Sequence, residues 1–314
     1  MVSLCATGLC SLGDKIVWMK RLYYLIGLVV GFVILVMGQM PGEGTRMVVC
    51  DVGQGDAILI TKGNKQVLID GGPSTEKILS CLEQYVPFYD RTIELIVLTN
   101  TDFDHMQGLS GVIERYKVIE FATSDGVHTS DALDKLTSQL VNAQIKVKGV
   151  ERGDKIRVGQ VSEGDGLEFL VLWPPDMIAE YSAVFSDEID SAKREQILGA
   201  SAKRGNLNER SVVLLLLEDE NIILLMGDAG DQAEKELLLS DNLPDIDILK
   251  VGHHGSKYAS TLEFLEKTKP ELAVISVGSK NRYGHPTAET LGRLESVGAK
   301  VRRTDEEGSV VLEW

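Results

Sequence analysis

Residues 97–109 read VLTNTDFDHMQGL and carry the strongest fold signal of the chain. The apolar run from Ile93 to Thr99 is typical of a strand that is buried in a sheet. Asp104 and His105 follow that strand closely, and a turn at a strand end can aim both side chains at one point. Carboxylate and imidazole groups are common ligands of catalytic metal ions. The stretch therefore predicts a metal site at the end of a buried strand.

Five other polar segments lie at the ends of predicted strands. They are DVGQGD (51–56), LIDGG (68–72), MGD (226–228), GHHGS (252–256) and YGHP (283–286). Each segment alone is more often a structural turn than a site. In combination they predict two acidic and two imidazole ligands around one divalent ion, which would lower the pKa of bound water toward about 7. The candidate ligands are Asp104, His105, Asp228 and either His253 or His254.

Periodicity in the rest of the chain predicts a strand-rich α+β domain. Strands are predicted near residues 47–50, 57–61, 66–69, 93–99, 118–123, 145–148, 155–158, 167–172, 211–217, 221–226, 246–251, 272–277, 300–304 and 309–313. Helices are predicted near 76–85, 109–116, 132–141, 231–239, 260–266 and 287–297. We interpret the polar stretch 176–207 as an insertion with a helix near 188–198. This arrangement indicates sheets that are covered by helices.

Composition limits the classes of function. The 314 residues are 44% hydrophobic and 25% charged, which is ordinary for a globular protein. The net charge of −15 excludes a broadly basic nucleic-acid surface, so binding of nucleic acid would need metal ions or a local basic patch. The spacing of the four cysteines matches neither a zinc knuckle nor a CxxC pair. We interpret Cys50 and Cys81 as small buried apolar residues.

Residues 22–40 predict a transmembrane anchor because they contain no charge and approach the length of about 20 residues that spans a bilayer. Lys15, Lys20 and Arg21 precede this segment, and the positive-inside rule then predicts a cytoplasmic tail at 1–21. A linker at 41–46 and an extracytoplasmic domain at 47–314 would follow. A cleaved signal peptide is an alternative interpretation of the same apolar run, and a buried core helix is a third.

The motifs support a family resemblance. From Val48 to Glu313 the chain resembles the C-terminal metallo-β-lactamase-fold domain of ComEC-type competence proteins. The matching segments are DVGQGDAILI (51–60), LIDGG (68–72), VLTNTDFDHMQGL (97–109), SVVLLL (211–216), GDAG (227–230), LKVGHHGS (249–256) and ISVGSKNRYGHP (275–286). The resemblance implies an αββα four-layer sandwich with its metal site at one edge, here carrying an N-terminal transmembrane helix.

The resemblance also implies roles for individual residues. It implies that Asp104, His105, Asp228 and His254 hold the second of the two metal positions of the superfamily, with His253 facing substrate. Asp70 would support this site from behind the ligands, and Asp56 is expected to do the same. His285 would contact a phosphoryl oxygen or protonate a leaving group.

Departures from the superfamily pattern concern the first metal position. Asn100 stands where the signature begins with histidine, and Asp102 stands at its second histidine, a replacement that ComEC-type proteins commonly show. No histidine occurs in residues 206–211, where other branches place a ligand. Asn100 and Asp102 would therefore form only a weak first position, and we expect one bound zinc or manganese ion rather than two.

The leading functional hypothesis is an extracytoplasmic metal-dependent phosphodiesterase or nuclease related to DNA uptake. Its substrate would be a phosphate ester, with single-stranded DNA as a candidate, and Asp228, His253 and His285 would carry the chemistry. A separate channel protein is a possible partner, because ComEC proteins contain a multi-helix channel that this sequence lacks. A catalytically weak metal-binding or scaffold domain is the main alternative, and β-lactam or thioester hydrolysis is a third class.

Overall fold

The protein is described here from a computed structural model. The structure describes residues 12–37, 42, 44–124, 130–161, 164–175, 207–240 and 243–314. The predicted helix at 188–198 and nearly all of the predicted insertion at 176–207 lie outside these residues, as does His128. The chain divides into two compact units, Met1–Pro41 and Gly42–Trp314. This division agrees with the predicted start of the linker, although the finer domain assignment stays a prediction.

The first unit contains helix α1, Leu12–Met37. Its segment Val17–Ile34 is long and apolar enough to cross a membrane, with a mean hydropathy of 1.6 and none of it buried. The helix begins ten residues before the predicted anchor at 22–40 and ends three residues before its end. A run of exposed apolar side chains is unfavourable in water, so a membrane anchor and a signal sequence both account for it.

Within the described residues, the strands of the second unit form two seven-stranded mixed sheets. The first sheet has the order β14-β1-β2-β3-β4-β5-β6. Its strands are β1 Thr45–Val49, β2 Ile58–Lys62, β3 Lys65–Ile69, β4 Thr92–Leu98, β5 Lys117–Thr123, β6 Lys146–Gly149 and β14 Val310–Glu313. Strands β3 to β6 are parallel, whereas the pairings of β14, β1, β2 and β3 are antiparallel.

The second sheet has the order β13-β12-β11-β10-β9-β8-β7. Its strands are β7 Lys155–Val158, β8 Leu167–Trp173, β9 Val213–Glu218, β10 Asn221–Leu225, β11 Ile248–Lys250, β12 Leu272–Ile275 and β13 Lys300–Arg303. Strands β10 to β13 are parallel, and β7 to β10 are antiparallel. Each sheet therefore has one parallel half, whose strands all end at the same edge.

Helices pack on the outer face of each sheet. On the first sheet they are α2 Thr75–Tyr85, α4 Leu109–Arg115 and α5 Asp131–Asn142, with the one-turn helix α3 Phe103–Met106. On the second they are α6 Asp231–Leu239, α7 Leu262–Thr268 and α8 Ala288–Ser296, with the short α9 Thr304–Glu307 near β13.

The main core lies between the two sheets. It combines buried side chains of both, for example Val49 and Ile60 of the first sheet with Phe169 and Leu214 of the second. One further apolar cluster lies between the first sheet and its helices, and another lies between the second sheet and its helices. Burial of apolar surface on both faces of both sheets is what holds four layers together. The predicted αββα sandwich is confirmed.

Most predicted elements lie within two residues of the observed ones. The main exceptions are α3 and α9, which were not predicted because one turn of four residues is too short to show helical periodicity. The predicted strand 272–277 is observed as Leu272–Ile275.

The interpretation of Cys50 and Cys81 as free buried thiols is wrong. The two residues form a disulfide between the end of β1 and helix α2, with their Cα atoms 6.0 Å apart. The sequence separation of 31 residues concealed the pairing, because only the packing of α2 on the first sheet brings the thiols together. The disulfide anchors the chain just before Asp51, where the polar segment 51–56 begins.

Candidate metal centre

The polar segments predicted at strand ends meet at the edge where the parallel strands of both sheets end. Asp70 follows β3, Asn100 follows β4, Asp228 follows β10 and His254 follows β11. Parallel strands place their carboxyl ends side by side, so loops from different strands can present side chains to a common point. For this reason Asp70 and His254, which are 184 residues apart in the sequence, lie at the same edge of the sandwich.

Two glycines allow the loops to approach one another closely. A Cβ at Gly55 would lie 2.1 Å from the carbonyl oxygen of Asp104, and one at Gly227 would lie 2.4 Å from Ser211 Oγ. Both glycines also have positive φ angles, 141° and 52°. Ser211 Oγ in turn accepts a hydrogen bond from the backbone N–H of Asp228 at 2.9 Å. The loops that carry Asp104 and Asp228 are thereby fixed by backbone contacts.

His105 is fully buried and is oriented by Asp70. The His105 Nδ1–H donates to Asp70 Oδ2 at 2.7 Å, and Asp70 also accepts from the N–H and the hydroxyl of Thr99, both at 2.7 Å. Because Nδ1 carries the proton in this hydrogen bond, the lone pair of the neutral ring lies on Nε2. His105 Nε2 lies 3.3 Å from Asp228 Oδ1. Asp70 thus orients the His105 ring, and its predicted role in supporting a metal ligand stays a prediction.

His254, on the second sheet, is oriented in the same way as His105, by a hydrogen bond from its Nδ1–H. Its Nδ1–H donates to the carbonyl oxygen of Ser276 at 2.9 Å, which leaves the lone pair on Nε2. That Nε2 lies 3.4 Å from Asp228 Oδ1 and 3.3 Å from Asp104 Oδ2. His253 and His254 both adopt left-handed backbone angles, with φ of 46° and 54°. Such angles cost roughly 1 to 3 kcal/mol for residues other than glycine and cluster at functional sites.

Three buried atoms at the centre of this cluster have no hydrogen-bond partner among the described residues. They are His105 Nε2, Asp228 Oδ1 and His254 Nε2. All three are lone-pair acceptors, and Asp104 adds a partly exposed carboxylate beside them. One ligand atom from each of Asp104, His105 and His254 lies within 4.8 Å of the other two. A divalent cation satisfies such a set of acceptors, so these residues fit a metal ion.

The pKa shifts of the buried imidazoles and of Asp228 also indicate that this cluster fits a cation. Burial disfavours the imidazolium form of His254, but Asp228 and Asp56 outweigh burial and raise its pKa to about 10. Burial likewise opposes charging of His105, yet Asp228 and Asp70 raise its pKa well above the usual range. Burial would raise the pKa of Asp228, and the neighbouring imidazoles nevertheless hold it far below normal. Without a cation, the cluster therefore takes up protons in its place.

Asp56 has a partner that the sequence analysis did not find. Lys250 Nζ lies 2.5 Å from Asp56 Oδ2 and also donates to the carbonyl oxygen of Val251 at 3.0 Å. Both side chains are almost completely buried. Asp56 Oδ1 faces His254 Nδ1 at 3.3 Å. Burial raises the pKa of Asp56, but Lys250 and then His254 prevail and lower it to about 2. Asp56 therefore supports His254 as a permanently charged group, paired with a cation of the chain itself.

Two amide side chains, those of Asn100 and Asn208, lie in the loops where the sequence analysis looked for a first metal position. Asn100 Oδ1 accepts a hydrogen bond from the N–H of Asp102 at 2.9 Å. The Nδ2 group of Asn100 is buried and has no hydrogen-bond partner among the described residues. Asn208, which the sequence analysis did not single out, lies with Nδ2 3.2 Å from His253 Nε2. Asp102 joins no cluster of three acidic or imidazole groups among the described residues. A weak first position at Asn100 and Asp102 stays a prediction.

His253 and His285 lie beside the cluster. The ring centroids of His253 and His285 are 5.7 Å apart, and His253 Nε2 is 4.0 Å from Asp228 Oδ2. Burial and the neighbouring imidazoles lower the pKa of His285, so its ring is neutral near pH 7. Its Nδ1 is buried and lacks a hydrogen-bond partner within the described part of the chain. Two imidazoles thus flank the open side of the cluster, where the sequence predicted substrate contacts.

The residues that the sequence analysis missed are mainly those that orient the predicted ones. Thr99, Ser211 and Ser276 act through hydroxyl or backbone groups, which leave no specific trace in a sequence. Lys250 did leave a signal, because a lysine inside the apolar run IDILKVG requires a buried partner. Asp56, which precedes the apolar run AILI, was the matching acid.

Comparison with known proteins agrees with this architecture. Residues 50–177 match the family model of the metallo-β-lactamase superfamily. Recombination protein 2 of Haemophilus influenzae is 27% identical over 282 residues, covering 89% of this chain and 30% of that protein. ComE operon protein 3 of Bacillus subtilis is 26% identical over 304 residues, covering 89% of this chain and 34% of that protein. The chain spans about a third of the length of the curated relatives it matches.

Among solved structures, the metallo-β-lactamase-fold protein YhfI of Bacillus subtilis superposes with a TM-score of 0.54 at 10% identity, covering 86% of this chain and all of that protein. This likeness concerns the fold alone. The family match, the two mixed sheets and the sequence relatives are in agreement. The chain therefore has the metallo-β-lactamase fold, matches that superfamily over residues 50–177, and is related in sequence to competence proteins of the ComEC type.

Proposed function

We propose that the domain is an extracytoplasmic metal-dependent phosphodiesterase or nuclease with a role in DNA uptake. The observation that carries this proposal is the convergence of His105 Nε2, Asp228 Oδ1 and His254 Nε2, three buried acceptors without partners among the described residues. Buried polar atoms are rarely left unsatisfied, so an acceptor cluster of this kind favours a cation as its intended partner.

Asp104, His105, Asp228 and His254 would hold one zinc or manganese ion. When bound, such an ion supplies positive charge that polarises a phosphoryl oxygen and makes water more acidic. The chain orients the ligands through Asp70 and Ser276, which fix the two rings by their Nδ1–H groups. Such supporting contacts typically change metal affinity by about 10- to 100-fold.

His253 and His285 would place the phosphate group. His285 presents a neutral ring, which can donate one hydrogen bond to a phosphoryl oxygen. His253 is about one-third exposed, and its contact with Asn208 restrains the ring beside Asp228. The superfamily fold supports other hydrolytic reactions as well, so the choice of phosphate ester rests on the competence-protein relatives.

Following the resemblance to ComEC-type competence proteins, we propose single-stranded DNA as the substrate and a separate channel protein as a partner. Both suggestions are proposals, since this chain corresponds to about a third of each relative's length. Helix α1 would anchor the domain in the membrane with its N-terminus in the cytoplasm, following the positive-inside rule. The Cys50–Cys81 disulfide supports an extracytoplasmic domain, because disulfides persist mainly in oxidising compartments.

A catalytically weak metal-binding domain is the second candidate. It is favoured by Asn100, whose amide oxygen is already engaged by the N–H of Asp102 and whose remaining group is a donor. A domain with only one occupied metal position could bind a cation for structural reasons and turn over phosphate esters slowly.

The deciding experiment measures metal content and hydrolysis on the full chain in detergent. We expect about one equivalent of manganese or zinc, with hydrolysis of bis-p-nitrophenyl phosphate and of single-stranded DNA. Asp228→Asn should lose both properties, while Asp245→Asn, which changes an exposed carboxylate paired with Lys269, serves as the matched control. Metal binding without hydrolysis in the wild type would favour the scaffold. Hydrolysis that persists in Asp228→Asn would refute the proposed site.

A further inference from the structure

A second feature of the domain is a cleft of about 670 Å³ that opens beside Asp104. Its walls come from the 51–56 segment, the start of α2, the first turn of α3 and the segment that contains His285. The lining residues used below are Gln54, Lys77, Phe103, Asp104 and Tyr283. The metal centre and the cleft share Asp104, so a molecule in the cleft lies next to the cluster.

Two exposed aromatic side chains line this cleft. Phe103 is 61% exposed and Tyr283 is 71% exposed. Single exposed aromatic residues are common and need no explanation. These two differ because they face one cleft, and because Phe103 directly precedes Asp104 while Tyr283 lies two residues before His285. The Tyr283 ring is stacked on His285, at a centroid distance of 6.0 Å and an interplanar angle of 15°.

The segment that carries Tyr283 is held rigidly by Asn281. Asn281 Nδ2 donates to the carbonyl oxygens of Gly278 and His285, at 2.9 and 2.8 Å. Asn281 Oδ1 accepts from the N–H groups of Tyr283 and His285, at 3.2 and 3.1 Å. Four hydrogen bonds from one side chain fix the turn, so Tyr283 stays exposed without a loose backbone. A preorganised aromatic surface loses less entropy when a ligand stacks on it.

Basic side chains occur around the cleft, although the chain as a whole is acidic. Lys77 lines it, and the Tyr283 segment also carries the exposed residues Lys280 and Arg282. Lys77 Nζ lies 3.4 Å from Asp51 Oδ1, but both groups are nearly half exposed and such a pair contributes little. Glu76 also lines the cleft and opposes an anion there. Aromatic faces flanked by cations match a nucleobase flanked by phosphates.

We propose that this cleft, which we name the Phe103–Tyr283 cleft, binds single-stranded polynucleotide by stacking a base on Phe103 or Tyr283. This inference rests on the proposed function and specifies its substrate class. The stacked base belongs to a nucleotide adjacent to the phosphate at the cluster, and Lys77, Lys280 and Arg282 attract the flanking phosphates. Stacking on aromatic faces tolerates every base, so the cleft has little sequence preference.

The test is strand binding by the full chain in detergent, measured by fluorescence anisotropy in EDTA so that no hydrolysis occurs. Two labelled strands of equal length are compared, oligothymidine and an abasic strand. We expect wild type to prefer oligothymidine, and Tyr283→Ala or Phe103→Ala to weaken its binding by about 5- to 150-fold while the abasic strand is little affected. Tyr283→Phe keeps the ring and should bind as wild type does. Tyr258→Ala removes a 65% exposed tyrosine outside the cleft lining and is the matched control.

Thermal unfolding of each variant by circular dichroism ensures that the comparison is made on folded protein. Equal affinity of wild type for the two strands would overturn the proposal, as would an equal loss of both strands in the alanine variants. Thymidine monophosphate that competes as strongly as the strand would overturn a polynucleotide as the ligand. Because binding is measured without turnover, an inactive wild type that still prefers oligothymidine contradicts only the proposed hydrolysis.

Discussion

Asp56 and Asp228 are both buried carboxylates in strand-end loops, yet their charges are balanced in different ways. Asp56 is neutralised by Lys250, a cation that the chain supplies and buries with it. Within the described part of the chain, the ion-pair partners of Asp228 are imidazoles, and these must capture protons before they carry positive charge. The Lys250–Asp56 pair is therefore complete in itself, whereas Asp104 and Asp228 form no ion pair with a lysine or arginine among the described residues.

This difference indicates that Asp56 is a supporting group, whereas Asp228 belongs to a candidate binding site at the same sheet edge. A buried carboxylate with its own ammonium partner has no need of an external ion, and it can orient His254 from behind. A buried carboxylate beside neutral ring nitrogens gains most from a divalent ion. Asn100 represents a third case, because its amide oxygen already accepts one hydrogen bond within the loop and carries no charge that would attract a cation strongly.

The largest expected effect is the loss of stability on breaking the Lys250–Asp56 pair. Lys250→Met leaves Asp56 buried without a cation, which should lower the free energy of unfolding by about 3 to 5 kcal/mol in urea titrations. The double variant Lys250→Met/Asp56→Asn removes both charges and should recover much of the loss. Equal stability of the two variants would show that the pair is not what Lys250 contributes.

The Lys250–Asp56 pair also predicts a pH dependence of stability. The pKa of Asp56 is lowered in the folded protein from 3.8 to about 2, so its contribution to stability is present above pH 3.8 and is lost as the pH falls to about 2. Lys250→Met should abolish that part of the acid dependence, measured as the free energy of unfolding in the same pH range.

The second largest effect concerns the incomplete cluster. Asp228→Asn should weaken manganese or zinc binding by at least ~100-fold, because it removes the carboxylate that both rings face. Metal at about 100 times the wild-type Kd should stabilise wild type by about 2.7 kcal/mol and this variant by no more than about 0.4 kcal/mol, measured by thermal unfolding. An equal metal-dependent stabilisation of both proteins would place the ion elsewhere.

A smaller effect is expected from pH. The pKa of His254 rises from 6.5 to about 10 in the metal-free protein, so its Nε2 holds a proton near pH 7 and a metal ion must displace it. Metal affinity should therefore increase with pH, by about tenfold per pH unit for each proton released, until the pH exceeds that pKa. Titration calorimetry in buffers of different ionisation enthalpy counts these protons. An affinity that is constant over this range would contradict the protonated cluster.

The smallest expected effect is the change in metal content and hydrolysis on replacing Asn100. Asn100→His adds a ring nitrogen where the amide now offers a donor, and it should raise bound metal toward two equivalents and hydrolysis of bis-p-nitrophenyl phosphate by up to about tenfold. Asn100→Ala removes the amide without adding a ligand and controls for loss of the hydrogen bond to Asp102. No gain in metal content would mean that more than this one residue prevents a second ion from binding.

Much of the fold and the core of the site could be predicted from sequence. The apolar runs located the strands, and the acidic and imidazole residues at their ends include every member of the cluster. His254 was preferred over His253 from its place before Gly255, and it is indeed the buried ring with Nε2 toward Asp228. Motif order and local periodicity sufficed for these predictions because both depend on neighbouring residues.

Pairings between distant residues could not be predicted in the same way. Lys250 and Asp56 are 194 residues apart, and the carbonyl oxygen that orients His254 belongs to Ser276 on the next loop. The Cys50–Cys81 disulfide and the Phe103–Tyr283 cleft also combine separate segments. Each depends on how strands align and on how layers pack.

The sequence by itself determined which residues are candidates for the chemistry, because side-chain type and position at a strand end are local properties. Only the tertiary structure decided which charge is balanced by the protein and which is left for an ion. That balance depends on distances of a few ångströms between residues that are brought together by the packing of two sheets.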